Sequence, residues 1–156
     1  DILVSRVEYR LASGLWGRAL GYLPHRWPTW FSPRQLDFAP EPFGPFSSSY
    51  SLTQAGDVIL VPTPGHAPGH LSVIVRDGSS AVFLAGDASY SQQLLLDGVV
   101  DGVTTNVAVT RQTIERIQRF LQTTPALFLP SHDPDSARRL AQHRIVSFLP
   151  NELVSG

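Results

Sequence analysis

Short apolar runs bounded by turn residues occupy the middle of the chain and predict β-strands there. Residues 58–61, 81–84 and 126–129 are wholly apolar, and residues 71–75 contain a single serine. Asp77-Gly78 stands between the runs 71–75 and 81–84, and an Asp-Gly pair between two strands is a strong hairpin signal. We therefore predict a sheet in which 71–75 and 81–84 are neighbours.

Helical spacing of apolar residues is found in the last third of the chain. A first helix is predicted from about Thr110, its cap, to Gln122, with Ile114, Ile117 and Leu121 on its inner face.

A second helix is predicted to start at Asp133, as N-cap, with Pro134 in its first turn, and to run to about Arg144. Its predicted inward residues are Ala137, Leu140 and Ala141.

The first third of the chain has a weaker pattern. Residues 2–11 alternate imperfectly and predict a strand that needs a partner from elsewhere, and residues 91–109 predict a loop. Residues 13–46 form an irregular, aromatic-rich segment that either packs over the core or walls an apolar pocket. Its aromatic residues are Trp16, Tyr22, Trp27, Trp30, Phe31, Phe38, Phe43 and Phe46.

Composition narrows the class of protein. A chain of 156 residues, 42% of them hydrophobic, is long enough for a single domain over 1–156, and no apolar run is long enough to cross a bilayer. The net charge of -1 argues against nucleic acid or an acidic membrane as a partner. The absence of Cys excludes thiolate chemistry. Asp1 to Val4 has no basic region typical of a signal peptide, so we expect a cytoplasmic protein.

Three potential metal ligands lie where strands are predicted to end. His66 stands in a loop, residues 63–70, that two Gly and two Pro make rigid. The hairpin brings Asp87 back to the end of the sheet from which the strand at 71–75 departs. His132 lies three residues after the end of the run 126–129. Imidazole and carboxylate groups together suit a divalent ion.

The motifs Thr63-Pro64-Gly65-His66-Ala67-Pro68-Gly69-His70, Gly86-Asp87-Ala88-Ser89-Tyr90 and Ser131-His132-Asp133 resemble the downstream half of metallo-β-lactamase-fold hydrolases. The chain is most similar, over about residues 52–143, to the N-acyl-homoserine lactonases among them. The resemblance implies that His66 and His132 bind two different divalent metal ions, with zinc the expected ion, and that Asp87 bridges them. It also implies that Tyr90 reaches the substrate carbonyl.

The fold class that the resemblance implies is α/β, an αββα sandwich of which this chain is the C-terminal part. The implied function is a metal-dependent hydrolase that opens lactones such as N-acyl-homoserine lactones with a metal-bound hydroxide. Two alternatives stay open. One is a hydrolase of the same fold that acts on thioesters, β-lactams or phosphodiesters, and the other is a metal-free interaction module that has lost catalysis.

The family's first metal motif, HxHxDH, is absent from the sequence. We therefore expect an upstream fragment or a second chain to supply those ligands, and we expect weak or no activity from residues 1–156 alone. Exposed apolar surface would favour pairing with another chain, a second copy included. The other three histidines are not predicted to bind a metal. We expect His25 in a surface loop, His70 in a structural position behind the site, and His143 near the end of a helix. Asp97 and Asp101 are expected to be solvated turn residues.

Overall fold

The structure, a computed structural model, describes residues 1–147. The predicted single domain over 1–156 therefore extends beyond the described residues. The elements are, in chain order, β1 Leu3–Ser5, α1 Arg6–Ser13, α2 Leu15–Ala19, a 3-10 turn Pro24–Arg26, β2 Arg34–Leu36, β3 Tyr50–Ser51, β4 Val58–Pro62, β5 Leu71–Asp77, β6 Ser80–Gly86, α3 Gln92–Leu96, α4 Val107–Thr123, β7 Ala126–Pro130 and α5 Ser136–Ala141.

A five-stranded mixed sheet is the main feature of the fold, with spatial order β3-β4-β5-β6-β7. The first three pairs of strands are antiparallel and the last is parallel. The predicted hairpin is confirmed: Asp77 pairs with Ser80, and Gly78 adopts a φ of 58° that a residue with a side chain rarely takes.

One face of the sheet forms the core together with α4. Ile59, Ile74, Phe83 and Phe128 are direct partners across four neighbouring strands, and each is 5% exposed or less. Direct partners have side chains on the same face, so these four form one continuous apolar row. The predicted inner face of the helix is confirmed, and its buried apolar residues are Ile114, Ile117, Phe120 and Leu121.

The opposite face of the sheet is also apolar. Leu60, Val73, Leu84 and Leu129 pair directly across the same four strands, one position along from the core row. Side chains alternate between faces along a strand, so this second row, the outer row, points away from α4. Within this row, Leu84 is 41% exposed, whereas Leu60 and Leu129 are buried.

The prediction of a strand over residues 2–11 is wrong beyond Ser5. The Ser5 hydroxyl accepts a hydrogen bond from the Glu8 amide at 3.1 Å and caps α1, which begins at Arg6. Ser-x-x-Glu is the capping-box pattern, so the sequence did contain the signal for a helix. The short strand β1 also has a partner within the chain, because it pairs in parallel with Arg34–Leu36.

Two predictions about the helical region are corrected. The segment 91–109 is not a loop throughout, because Ser91 caps the short helix α3. The cap of α4 is Asn106 and not Thr110, whose hydroxyl instead donates to the Asn106 carbonyl. At 17 residues α4 is the longest helix described, and none of the helices within residues 1–147 is long and apolar enough to cross a membrane.

The last helix is shorter and rotated compared with its prediction. It begins at Ser136, with Asp135 and not Asp133 as its N-cap residue, and ends at Ala141. Arg139 is the residue that faces inward, with its Nη2 2.7 Å from Asp133 Oδ2. That ion pair fixes the rotation of α5, so the three apolar residues expected to face inward are exposed: Ala137, Leu140 and Ala141.

Asp133 also accepts hydrogen bonds from the backbone amides of Gln92 and Asp135, both at 2.9 Å. Burial alone would raise the pKa of the Asp133 carboxyl, but the Arg139 guanidinium and the two amides lower it below its usual value. Because the folded pKa is the lower one, the ionised carboxylate stabilises the fold above its ordinary pKa. That contribution is lost as the pH falls through the lowered pKa.

We expect Arg139→Gln to destabilise the protein by about 3 to 5 kcal/mol, because it leaves the Asp133 charge buried without its partner. Arg138→Gln is the matched control, since Arg138 pairs with Asp135 at an exposed position one residue away and should matter by about 1 kcal/mol or less. Urea denaturation of both variants measures the two free energies. Equal losses in the free energy of unfolding would show that the buried ion pair stabilises the protein no more than the exposed one.

Candidate metal centre

Asp87 lies between the two predicted histidine ligands. Nε2 of His132 is 3.3 Å from Oδ1 of Asp87, and Nε2 of His66 is 3.7 Å from Oδ2. Two bonds of about 2.1 Å that meet at one ion at a tetrahedral angle separate their ligand atoms by about 3.4 Å. The structure thus brings the three residues together at distances that fit one ion on each side of a shared carboxylate.

The same geometry gives each of the two proposed metal ions too few ligands from this chain. Within residues 1–147, no three side chains of ligand type converge on a single point. Each ion would therefore receive one imidazole and one carboxylate oxygen from this chain, whereas structural and catalytic zinc sites use three or four protein ligands. Nδ1 of His66 is buried and has no hydrogen-bond partner among the described residues.

Tyr90 lies beside the two histidines. Its ring centroid is 4.7 Å from that of His132 and 6.4 Å from that of His66. The backbone amide of Tyr90 donates to Oδ2 of Asp101 at 2.6 Å. Asp101 is therefore not the solvated turn residue that the sequence predicts, because it holds the backbone of a residue at the centre.

Threonine hydroxyls fix the loop of residues 63–70, the ligand loop. Thr104 and Thr105 donate to the Gly65 carbonyl at 2.9 and 2.8 Å, and Thr113 donates to the Pro64 carbonyl at 2.6 Å. All three threonines lie 39 or more residues further along the chain. Sequence reasoning missed them, since hydroxyl residues at such a separation have no local signature.

The N-terminal helix α1 holds the other side of the ligand loop. Oε2 of Glu8 accepts a hydrogen bond from the Gly69 amide at 2.9 Å, and Oε1 accepts one from the Tyr22 hydroxyl. Burial, and secondarily the Glu8 carboxylate, raise the pKa of Tyr22 to about 12, so its hydroxyl stays a donor. A Cβ at Gly69 would lie 2.5 Å from Ser5 Oγ and closer still to the Glu8 amide, so only glycine fits here.

The remaining histidines lie in three different settings. His70 is behind the ligand loop, with Nδ1 2.9 Å from Thr63 Oγ1 and Nε2 accepting from the Asp87 amide at 3.1 Å. Burial lowers the pKa of His70 below its ordinary value. His25 is exposed, and His143 is exposed 3.9 Å from Asp77 at the hairpin end of the sheet.

The aromatic segment of residues 13–46 divides into parts. Phe46 is 1% exposed and belongs to the core, whereas Trp27 packs between Tyr9 and Phe31 with centroid distances of 5.6 and 5.0 Å. This second group lines a cavity of about 70 Å³ near α1. Trp16 is 79% exposed, so the segment neither wholly covers the core nor wholly walls a pocket.

Residues 14–137 match the family described as the Metallo-beta-lactamase superfamily. The chain belongs to this superfamily. Among curated proteins it is similar to the N-acyl homoserine lactonase AttM of Rhizobium radiobacter, with 28% identity over 88 residues that make up 56% of this chain and 34% of AttM. It is also similar to the probable metallo-hydrolase Mb2322c of Mycobacterium bovis, with 38% identity over 73 residues, 45% of this chain and 22% of that protein.

Solved structures show the same fold. A 1.4 Å structure of an N-acyl homoserine lactone hydrolase with N-hexanoyl-L-homoserine at its catalytic metal centre superimposes with a TM-score of 0.67 and 22% identity, covering 88% of this chain and 48% of that one. A probable metal-dependent hydrolase from Staphylococcus aureus gives a TM-score of 0.62 at 14% identity, with 84% and 44% covered. The predicted metallo-β-lactamase fold is thus confirmed as a partial one, since the chain spans about a third of its curated relative AttM and about half of these structures.

We expect Gly69→Ala to destabilise the protein by about 1 to 3 kcal/mol, because the added methyl group must push α1 away from the ligand loop. Gly102→Ala is the matched control, since a Cβ there would meet nothing within 4 Å, and it should change stability by about 0.5 kcal/mol or less. Both values come from urea denaturation. A harmless Gly69→Ala would mean that α1 does not hold the loop.

Proposed function

We propose that this chain supplies half of the two-metal centre of a hydrolase that opens lactones such as N-acyl-homoserine lactones. The observation that carries the proposal is the position of Asp87, with an imidazole 3.3 Å from one carboxylate oxygen and another 3.7 Å from the other. The similarity to proteins named as N-acyl homoserine lactonases supports the choice of substrate class.

His66 would hold one ion, His132 the other, and Asp87 both. With no Cys in the sequence, the ligands are nitrogen and oxygen atoms, which suit zinc and other divalent ions. When bound, such a pair lowers the pKa of a shared water toward about 7 and polarises the substrate carbonyl.

Tyr90 and Asp87 would do the remaining chemistry. The Tyr90 ring lies next to the His132 imidazole, and its backbone is held by Asp101. Its hydroxyl can therefore donate to the carbonyl oxygen on which negative charge develops. We assign Asp87 a second role: its carboxylate would accept the proton that the attacking water releases and pass it to the leaving alkoxide, which leaves the carboxylate ionised again.

The missing ligands would come from an upstream segment or a second chain that carries HxHxDH. One residue of the outer row supports this part of the proposal. Leu60 and Leu129 are already buried, at 4% and 8% exposed, whereas Leu84 is 41% exposed and a second sheet could cover it. One added layer would thus bury Leu84 and complete the ligand set together. The 41% exposure of Leu84 indicates where that layer would pack.

Other substrates of the superfamily would use the same three ligands, so the choice of a lactone depends on the surroundings. The group of Tyr9, Trp27 and Phe31 offers an apolar surface for an acyl chain. A larger cavity of about 470 Å³ opens beside Phe43 and Gly78 at the hairpin end of the sheet. That end is opposite to Asp87, so the cavity is not part of the proposed site.

We expect Tyr90→Phe in the full-length protein to lower the rate constant for lactone hydrolysis by on the order of 100-fold, since one donor to the developing oxyanion is removed. Metal content should not change. Tyr50→Phe is the control, because Tyr50 lies on β3 at the far edge of the sheet. Rates on a panel of lactones, thioesters and β-lactams together with metal analysis test both statements, and an unchanged rate on every lactone would remove Tyr90 from the mechanism.

We expect residues 1–156 alone to bind zinc weakly and to hydrolyse lactones poorly, because each ion would have two protein ligands instead of three or four. Adding a segment with HxHxDH should restore tight binding and activity together. Zinc titration and lactone assays, with and without that segment, make the comparison. Two tightly bound ions in the isolated chain would show that other residues complete the site. His25→Ala and His143→Ala would then identify them, since both ring nitrogens of His70 are already hydrogen-bonded.

A further inference from the structure

A buried chain of hydrogen bonds runs directly behind the proposed metal ligands. The Asp87 amide bonds to Nε2 of His70 at 3.1 Å, and Nδ1 of His70 lies 2.9 Å from the hydroxyl of Thr63. That hydroxyl is 2.8 Å from the hydroxyl of Ser72, which is 3.1 Å from the Ala85 carbonyl. Thr63 is fully buried and Ser72 is 1% exposed, so water does not compete for these bonds.

The two ends of this chain fix the position of every proton in it. A backbone amide can only donate, so Nε2 of His70 must be the acceptor, and a neutral ring then has its proton on Nδ1. A carbonyl can only accept, so the Ser72 hydroxyl donates to Ala85 and must accept from Thr63. The Thr63 hydroxyl consequently accepts from Nδ1 of His70, whose proton is shared with the Thr63 carbonyl at 3.1 Å.

The chain of bonds begins and ends beside the same strand. It starts at Asp87, directly after β6, passes through His70 before β5 and Thr63 after β4, and returns through Ser72 to Ala85 on β6. The three strand ends are thereby tied to each other beside the ligand loop. Gly86 permits this approach, because it has a φ of 58° and a Cβ there would lie 2.9 Å from Nε2 of His70.

We propose that His70 is a positioning residue for Asp87 and that it acts as a neutral imidazole protonated on Nδ1. By accepting from the Asp87 amide it fixes the backbone from which the bridging carboxylate extends, between the imidazoles of His66 and His132. The proposal rests on the proposed role of Asp87 as a metal ligand. Groups that orient ligands from behind typically change metal affinity by about 10- to 100-fold.

The tautomer is tested by nitrogen NMR of the ring in the full-length protein, without any substitution. We expect a protonated-type shift for Nδ1 of His70 and an unprotonated, acceptor-type shift for Nε2. This measurement does not depend on whether Asp87 binds metal. A proton on Nε2 would contradict the order of bonds and overturn the proposal.

The positioning role is tested by two variants of the same residue. His70→Phe keeps a ring but leaves the Asp87 amide without an acceptor, and we expect zinc affinity to fall by about 10- to 100-fold. His70→Gln offers an amide oxygen to the same donor and should recover part of that loss. Circular dichroism confirms that both variants are folded at the temperature of the titration, so a general loss of structure is separated from a loss of orientation.

Thr63→Val and Thr63→Ser provide a second matched pair, since only serine retains the hydroxyl between His70 and Ser72. Serine should keep the zinc affinity and valine should lower it. Folded His70→Phe that binds zinc as tightly as the unaltered protein would overturn the positioning role. A protein that takes up no metal while His70 has the expected tautomer would overturn the proposed function and, with it, the role of His70 toward a metal.

Discussion

The register of four neighbouring strands decides where every residue of the proposed centre lies. Pro62 pairs with Leu71 and Gly86 pairs with Pro130. The loop between the first two residues and the segments after the last two therefore all lie at the same end of the strands. A slip of one residue in any strand would exchange its two faces and move its end by more than 3 Å. The two apolar rows hold the register on both faces, and distances of 3.3 and 3.7 Å at Asp87 follow from it.

Features that depend on neighbours in sequence could be predicted, and those that depend on distant partners could not. The hairpin at Asp77-Gly78 and the grouping of His66, Asp87 and His132 followed from turn residues and strand ends. The rotation of α5 did not, because it depends on an ion pair between Arg139 and a residue outside the helix. An apolar pattern predicts the buried face of a helix only when no buried charge competes for it.

In two other places the sequence contained the correct local signal, but a broader pattern favoured a different prediction. Ser5 and Glu8 have the spacing of a capping box, yet the alternation of apolar residues around them suggested a strand. Asp101 stands beside a glycine, as many solvated turn residues do, and only its contact with the Tyr90 amide reveals its role. Both cases involve one side chain meeting one backbone group, which patterns averaged over many residues do not detect.

The contacts directly behind Asp87 are neutral, whereas charged side chains support other parts of the proposed centre. Behind Asp87 stand an imidazole and two hydroxyl groups, from His70, Thr63 and Ser72, joined in one order. A buried charge in their place would add its own field to that of the ligands and require a partner of its own. Glu8, which is charged, lies on the other side of the ligand loop and is bonded to the Gly69 amide and the Tyr22 hydroxyl. Neutral dipoles thus fix the backbone of Asp87 without placing a second charge directly behind its carboxylate.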